Sequence, residues 1–384
     1  MSRPRLIGSV TPVRRDVSSA ELVVLGPSLG TTTALWDEVA HNLAEDFRVV
    51  RFDLPGHGAS PATTEPFSVA ELADAVVDLV DSIGGGSFAY AGISLGGAIG
   101  LELAHRVPAR VTSLAVICAG AQFGTAEGWR DRAARARASG TASLVALSAE
   151  RWFAAGYLET HPSEGGAALS RLVEVDDESY ALCCEALAVF DAGSWATGIP
   201  TPTLCIAGEF DVAMPAEQVE YLADRLPAAR FVTLADAAHL PAMERPAELS
   251  ALIRTRLGGM RIRREVLGDA HVDRAIATTT VETADFQSFI TRYAWGEIWG
   301  RPALTRRERS LLTLAALITG GHSHELAMHV RAALTNGLTP AEISEAMLHT
   351  GIYAGLPAAN AALGIATQVF AEQDSEQGAP EQDN

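Results

Sequence analysis

The chain has 384 residues, enough for two or three domains at about 150 residues each. Its 48% hydrophobic and 20% charged residues exclude a disordered chain, and no apolar run approaches the roughly 18 residues of a membrane span. A net charge of −18 leaves no basic surface for nucleic acid or anionic lipid, and all 29 basic residues are arginine, which removes Schiff-base, pyridoxal-phosphate and phosphate-loop lysine chemistry.

Small molecules are therefore the expected partners. The first 15 residues carry four arginines and no apolar stretch long enough for a secretion signal. Cys118, Cys183, Cys184 and Cys205 lie in apolar contexts without CxxC spacing, which predicts reduced, buried thiols in a cytoplasmic protein.

From Glu21 to about Leu257, short apolar runs alternate with amphipathic stretches, the pattern of helices packed on a mostly parallel sheet. ELVVLG, FRVVRFD, SFAYAGI, VTSLAVICAG, TPTLCIAG and ARFVTLAD are the predicted strands. Ser68 and Glu71 stand in capping-box spacing at the head of a helix running to Ile83. Residues 122–197 break the alternation with Ala- and Arg-rich helical segments, an insertion suited to a lid.

After Leu257 the pattern turns helical throughout. GGMRIRREVLG reads as a basic, Gly-containing bridge, so residues 258–264 are taken as a linker between a domain at 1–257 and an all-α domain at 265–371. Thr305 with Glu308, and Thr339 with Pro340 and Glu342, mark two helix starts. Residues 372–384 are acidic and almost without apolar content, and a disordered tail is expected.

Two groups of residues carry chemistry. Gly92-Ile93-Ser94-Leu95-Gly96 is a G-x-S-x-G turn between strand and helix, where small residues allow the bend that lifts a serine hydroxyl out of the sheet. Such a serine needs a base and an acid that orients it, downstream in the order Asp, His. Asp211 follows one strand, with Glu209 and Asp236 as rivals, and His239 follows the next. Oxyanion donors are expected at the backbone N–H groups of Leu95 and Leu29. His57, in RFDLPGHGAS, is read as structural. In the second group, GGHSHELAMHV places His322, Glu325 and His329 near one helical face, with Glu325 and His329 at i, i+4. Met328 occupies the position where a zinc HExxH motif needs its second histidine, so no metal is assigned, although another ligand geometry stays open.

PSLGT, RFDLPGHGAS, GISLGG, GTAEGW, ERWF, GEFD and AAHLPAMERP together resemble the α/β-hydrolase fold, and within it the 3-oxoadipate enol-lactone hydrolases. The resemblance implies Ser94 as nucleophile, His239 as base, Asp211 as orienter and Trp129 of the lid as a substrate-facing aromatic. RREVLGDAHVDRA, DFQSFITRYAWGEIWGRP, LTRRERSLLTLAAL and ELAMHVRAALTNGLTPAEI resemble the γ-carboxymuconolactone decarboxylases. No cysteine follows Cys205, so the thiol chemistry of that family's redox relatives is excluded.

This second resemblance implies decarboxylation without a cofactor, the electrons of the departing CO₂ passing into an unsaturated lactone carbonyl. His329, titrating near neutrality and oriented by Glu325, would be the general acid, Arg309 would hold a carboxylate, and Glu297 would line the site. The expectation is an α/β-hydrolase domain with a helical lid followed by an all-α decarboxylase-like domain. Such a chain would be a bifunctional enzyme of small carboxylated lactones, homo-oligomeric through its helical part. The alternative is a general carboxylesterase with a non-catalytic helical oligomerisation domain.

Overall fold

The computed structural model describes residues 3–14, 20–301 and 303–377, without the side chains of 281, 284, 285, 288, 292, 297 and 374–377. The chain divides into two compact units, Met1–Leu257 and Gly258–Asn384.

The first unit is built on a seven-stranded sheet: β1 Ile7–Thr11, β2 Leu22–Gly26, β3 Arg48–Asp53, β4 Phe88–Ile93, β5 Val111–Ile117, β6 Thr203–Gly208 and β7 Ala229–Leu234, in the spatial order β1-β3-β2-β4-β5-β6-β7. The six strands β2 to β7 coincide with the six apolar runs of the sequence, and all pair in parallel. β2, β4 and β6 are buried along their whole length, which is why they read as continuous apolar runs rather than alternating ones. β1 pairs antiparallel with β3 at the sheet edge, Ile7 opposite Asp53 and Thr11 opposite Val49. Its residues IGSVT carry no comparable apolar signal, and the sequence reading had no strand there.

Chain connection reverses direction at β2, which has β3 on one side and β4 on the other. In parallel sheets such a switch point opens a crevice beyond the carboxyl ends of the strands. The loop after β2 and the turn after β4 face each other there: the Gly96 N–H donates to the Pro27 carbonyl at 3.0 Å. Helix Val69–Ser82 starts with the expected capping box, Ser68 and Glu71 each binding the other's backbone N–H, and its buried face includes Leu72, Val76 and Val80. Between β5 and β6 run five helices, Ala126–Ser139, Val145–Trp152, Tyr157–Thr160, Pro162–Val173 and Asp177–Val189. They form the insertion expected at 122–197.

The second unit is helical: Gly259–Leu267, Asp269–Ala277, Val281–Ile290 continuing as a π-helical stretch Thr291–Trp299, then Arg306–Gly320, Ser323–Thr335, Pro340–Ala354 and Leu356–Gln377. Capping boxes at Thr305–Glu308 and Thr339–Glu342 start the two marked helices. Its core gathers Leu314, Ile318, Leu326, Val330, Ile343, Met347 and Val369.

Two boundary expectations are corrected. Residues 258–264 are not a linker: Gly259–Leu267 is a helix that buries Ile262 and Val266 against Trp295 and Ala332. A side chain at Gly259 would lie 2.6 Å from the Thr291 carbonyl, so this glycine serves close packing, not freedom. The last helix continues past 371 to Gln377, where Arg331 pairs with Glu372; residues 378–384 of the expected tail lie outside the described residues. No helix among the described residues is long and apolar enough to cross a membrane.

Candidate functional site

Ser94 sits between β4 and helix Leu95–Arg106 at φ 57 and ψ −117, a region that costs a non-glycine residue strain energy. The turn is held from both sides. The Ser94 N–H donates to the Ile117 carbonyl at 2.9 Å, and the Tyr90 hydroxyl to the Gly96 carbonyl at 3.0 Å. A Cβ at Gly92 would lie 2.2 Å from the Gly96 oxygen, and one at Gly96 would lie 2.3 Å from the Gly26 oxygen. The glycines of the motif are thus demanded by backbone contact.

Asp211, on the loop after β6, and His239, after β7, are both buried, and the His239 Nδ1–H donates to Asp211 Oδ2 at 2.8 Å. Asp211 Oδ1 accepts the N–H groups of Ala213 and Met214 at 2.8 and 2.9 Å. The carboxylate is therefore fixed by three donors, and the imidazole keeps Nε2 free for a serine proton. Of the two rival acids, Glu209 is spent on the Asp236 N–H at 3.0 Å, and Asp236 makes no bond to His239.

Ser94 and His239 line one cavity of about 460 Å3. Leu29 lines it too, and the backbone N–H groups of Leu29 and Leu95 donate to no acceptor among the described residues, so both are free for an oxyanion. His57 explains why Leu29 and not Gly30 is available. Gly30 donates its N–H to His57 Nε2 at 3.1 Å, and His57 Nδ1–H donates to the Pro55 carbonyl at 2.8 Å. Both ring nitrogens of this fully buried imidazole are satisfied in the neutral form, and burial pushes its pKa down to about 4.

The sign of that shift sets a pH dependence. A histidine whose folded pKa lies below its unfolded value adds stability that is complete above about pH 6.5 and lost as pH falls towards 4, on the order of 3 kcal/mol at most. Thermal unfolding between pH 7 and 4.5 should show this loss in the wild type. A His57→Gln variant should start lower at neutral pH and show a shallower acid slope.

The lid contributes residues that the sequence reading only partly foresaw. Trp129 lines the cavity, its indole N–H bound to the Phe123 carbonyl at 2.5 Å. Arg132, one turn further along the same helix, lines it as well and is held in place: its Nε donates to the Tyr180 hydroxyl at 2.7 Å, and its guanidinium stands 5.5 Å from the Trp129 ring and 5.6 Å from the Tyr180 ring. Arg135 and Arg151 add two more cations to the wall, against Asp131. The spacing Trp129 to Arg132 was the signal that could have found the arginine. Glu244 was missed altogether. Its carboxylate accepts the N–H of Ala154 in the lid and of Ala238 beside His239, both at 2.7 Å, and burial raises its pKa.

Cys118 lies with Asp211 and His239, their ligand atoms within 4.8 Å of one another. Burial holds the thiol well above its usual pKa, and the Asp211–His239 pair is internally satisfied. These donors fit a hydrogen-bonded acid–base pair better than a cation site.

In the helical unit the expected histidine face is only partly assembled. His329 is half-buried and its pKa falls to about 4, through burial first and then the neighbouring His271, against the pull of Glu325. The expectation of titration near neutrality is corrected: burial keeps the resting imidazole neutral. Glu325 is exposed and no hydrogen bond joins it to His329, so it acts through its field alone. His322 and His324 are exposed. Arg309 is buried at the start of its helix with Nη2 on the Arg301 carbonyl at 2.8 Å, and it is not among the charges acting on His329. The side chain of Glu297 lies outside the described residues.

Comparison with known proteins separates the same two parts. The family model described as "Alpha/beta hydrolase family" matches residues 23–252, and "Carboxymuconolactone decarboxylase family" matches residues 284–368. A 4-carboxymuconolactone decarboxylase of Acinetobacter baylyi is 50% identical over 112 residues, 29% of this chain and 84% of that protein. The 3-oxoadipate enol-lactonase 2 of the same organism is 30% identical over 224 residues, 58% of this chain and 84% of that protein. Among solved structures, the enol-lactonase from Burkholderia xenovorans LB400 superposes with a TM-score of 0.62 at 33% identity, over 65% of this chain and 94% of that one.

Proposed function

Since the chain belongs to the alpha/beta hydrolase family and carries a carboxymuconolactone decarboxylase domain behind that hydrolase, we propose that it acts twice on one small carboxylated lactone. The helical domain removes CO₂ from 4-carboxymuconolactone, and the hydrolase domain opens the resulting 3-oxoadipate enol-lactone to 3-oxoadipate. The observation that carries the reading is the join itself: a relative of each successive enzyme in one chain, the hydrolase part with Ser94 and the Asp211–His239 pair at a single cavity.

In the hydrolase domain, His239 Nε2 takes the Ser94 proton as the oxygen attacks the lactone carbonyl, and the N–H groups of Leu29 and Leu95 receive the oxyanion. The ring C–O bond breaks to release an enol oxygen, which His239 reprotonates. Water then repeats the attack on the acyl-enzyme. Asp211 stabilises the imidazolium at both stages. In the helical domain, loss of CO₂ sends an electron pair into the unsaturated lactone carbonyl, and the dienolate must then be protonated on carbon. His329 is the group proposed to deliver that proton.

The enol-lactone carries a free carboxylate, and Arg132 supplies its counter-charge. It is preorganised by Tyr180 and Trp129, so little side-chain freedom is lost on binding. Arg132→Leu should lower kcat/KM for the acidic lactone by about 10- to 100-fold, mainly through KM, as expected for one charged hydrogen-bond partner. A neutral aryl ester of similar size should be turned over at an almost unchanged rate. Equal losses on both substrates would favour the general-esterase reading.

The deciding experiment for the whole function supplies 4-carboxymuconolactone to the purified chain and follows CO₂ and 3-oxoadipate together. Ester turnover without CO₂ release would leave only the hydrolase half standing.

A further inference from the structure

The helical domain contains a buried guanidinium that pairs with no carboxylate among the described residues. Arg263, on helix Gly259–Leu267, is 4% exposed. Its Nη1 donates to Thr291 Oγ1 at 2.9 Å and its Nη2 to Gln287 Oε1 at 2.8 Å, both neutral acceptors, and its Nε has no partner. Burial and the like charge of Arg264 depress its pKa. Its neighbours along the chain are treated differently: Arg261 pairs with Glu265, and Arg264 with Asp269 and Asp273. Among the described residues, the carboxylates of this segment thus go to the more exposed arginines, and the one furthest from water pairs with none. Buried charges in folded proteins are ordinarily paired, so a vacancy of this kind points to an anion that arrives with a ligand.

One imidazole, His271, lies in the field of Arg263, and a second, His329, lies in the field of His271. Helix Gly259–Leu267 packs on helix Ser323–Thr335 through Ile262, Val266 and Ala332, with Trp295 completing the cluster. His329 lies one turn before Ala332. His271, on the adjoining helix Asp269–Ala277, is held below its ordinary pKa by partial burial and then by Arg263, Arg274 and Arg331, and it in turn depresses His329. Of these cations Arg331 has its own carboxylate, Glu372, and the acid that acts on His329, Glu325, is exposed. Among the described residues this leaves two imidazoles beside cations with little negative charge to offset them.

We propose that Arg263, with His271 in its field and His329 coupled to it through His271, forms the site at which the helical domain receives a carboxylate of its substrate. The proposal rests on the decarboxylase reading above and names its binding residue. The carboxylate bound by Arg263 is the one that stays on the product; the other leaves as CO₂. An anion placed there supplies the charge that the two imidazoles lack, so His329 gains its proton as substrate binds and holds it for transfer to the dienolate carbon. The chemistry balances: one C–C bond breaks, its electron pair enters the lactone carbonyl system, and one proton passes from His329 to carbon.

The test uses the full-length protein and glutarate as an unreactive dicarboxylate. The imidazole resonances of His271 and His329 are followed by NMR during glutarate titration, in the wild type and in Arg263→Gln and Arg263→Lys. Saturable binding that shifts both histidines towards the protonated form is expected in the wild type, lost in Arg263→Gln and partly restored in Arg263→Lys. The KM for CO₂ release should rise by about 10- to 100-fold in Arg263→Gln, with far-UV circular dichroism and the NMR dispersion of the helical unit as the control for a folded chain. If glutarate leaves both wild-type histidines unmoved, the proposal is overturned without reference to any variant. Full CO₂ release with unchanged KM in a folded Arg263→Gln would overturn it while leaving the decarboxylase reading intact. Glutarate binding that depends on Arg263 in a protein releasing no CO₂ would support the anion site and remove the decarboxylase reading instead.

Discussion

Replacing Ser94 with alanine is expected to lower lactone hydrolysis by about 10⁴- to 10⁶-fold while CO₂ release from the carboxylated lactone continues at its full rate. The size follows from what the hydroxyl does: without it no acyl-enzyme forms, and only the free N–H groups of Leu29 and Leu95 and the positioning by the cavity wall remain. The variant should fold, because the serine's backbone, not its side chain, holds the turn through Ile117. Product analysis by chromatography should show enol-lactone accumulating, apart from its slow spontaneous hydrolysis. Loss of CO₂ release in the same variant would mean that one site performs both steps.

Asp211→Asn should cost about 10⁴-fold in kcat for hydrolysis, and the reason is the direction of each hydrogen bond. Ala213 and Met214 can only donate to position 211, so the amide oxygen of an asparagine must stay with them. Its NH₂ group is then left facing His239 Nδ1, which must accept. The ring proton moves to Nε2, and that nitrogen no longer takes the proton from Ser94. The change is nearly isosteric, so the melting temperature should move little compared with the rate. The measurement is kcat on the enol-lactone at pH 7 to 8. A loss below tenfold would show that another group orients the imidazole.

How much of this was legible in the sequence depends on the range over which each feature is determined. The parallel strands and the three capping boxes were readable because their signals are local: apolar runs of fixed length, and Ser68, Thr305 and Thr339 each three residues from a glutamate. The positions of Ser94 on a glycine turn and of Asp211 and His239 on the loops after two later strands were readable because each follows a local apolar run. β1 was not, since a strand of IGSVT exists only by virtue of the partner 38 to 46 positions further on that its pairing supplies. Arg263 was misread as part of a linker because two glycines and several arginines look like a solvated bridge until Thr291 and Gln287 close over them. The low pKa of His329 was invisible for the same reason: i, i+4 spacing reveals Glu325 as a neighbour but says nothing about burial or about His271. Arg132 stood between these cases, one helical turn from an aromatic already singled out.

The antiparallel edge strand has a practical consequence. β1 covers one flank of β3, and the segment ahead of it is anchored by Leu6 in the core, by the Ile7 N–H on Ser60 Oγ at 2.8 Å and by Arg3 on Asp78 at 3.0 Å. Trimming the chain to begin at the β2 segment would strip β3 of that cover and present a raw row of amides and carbonyls beside Val49 and Val50, an adhesive rim that recruits other chains. Affinity tags are therefore better appended ahead of Arg3 than substituted for the first dozen residues, and a shortened version would precipitate before it lost its fold.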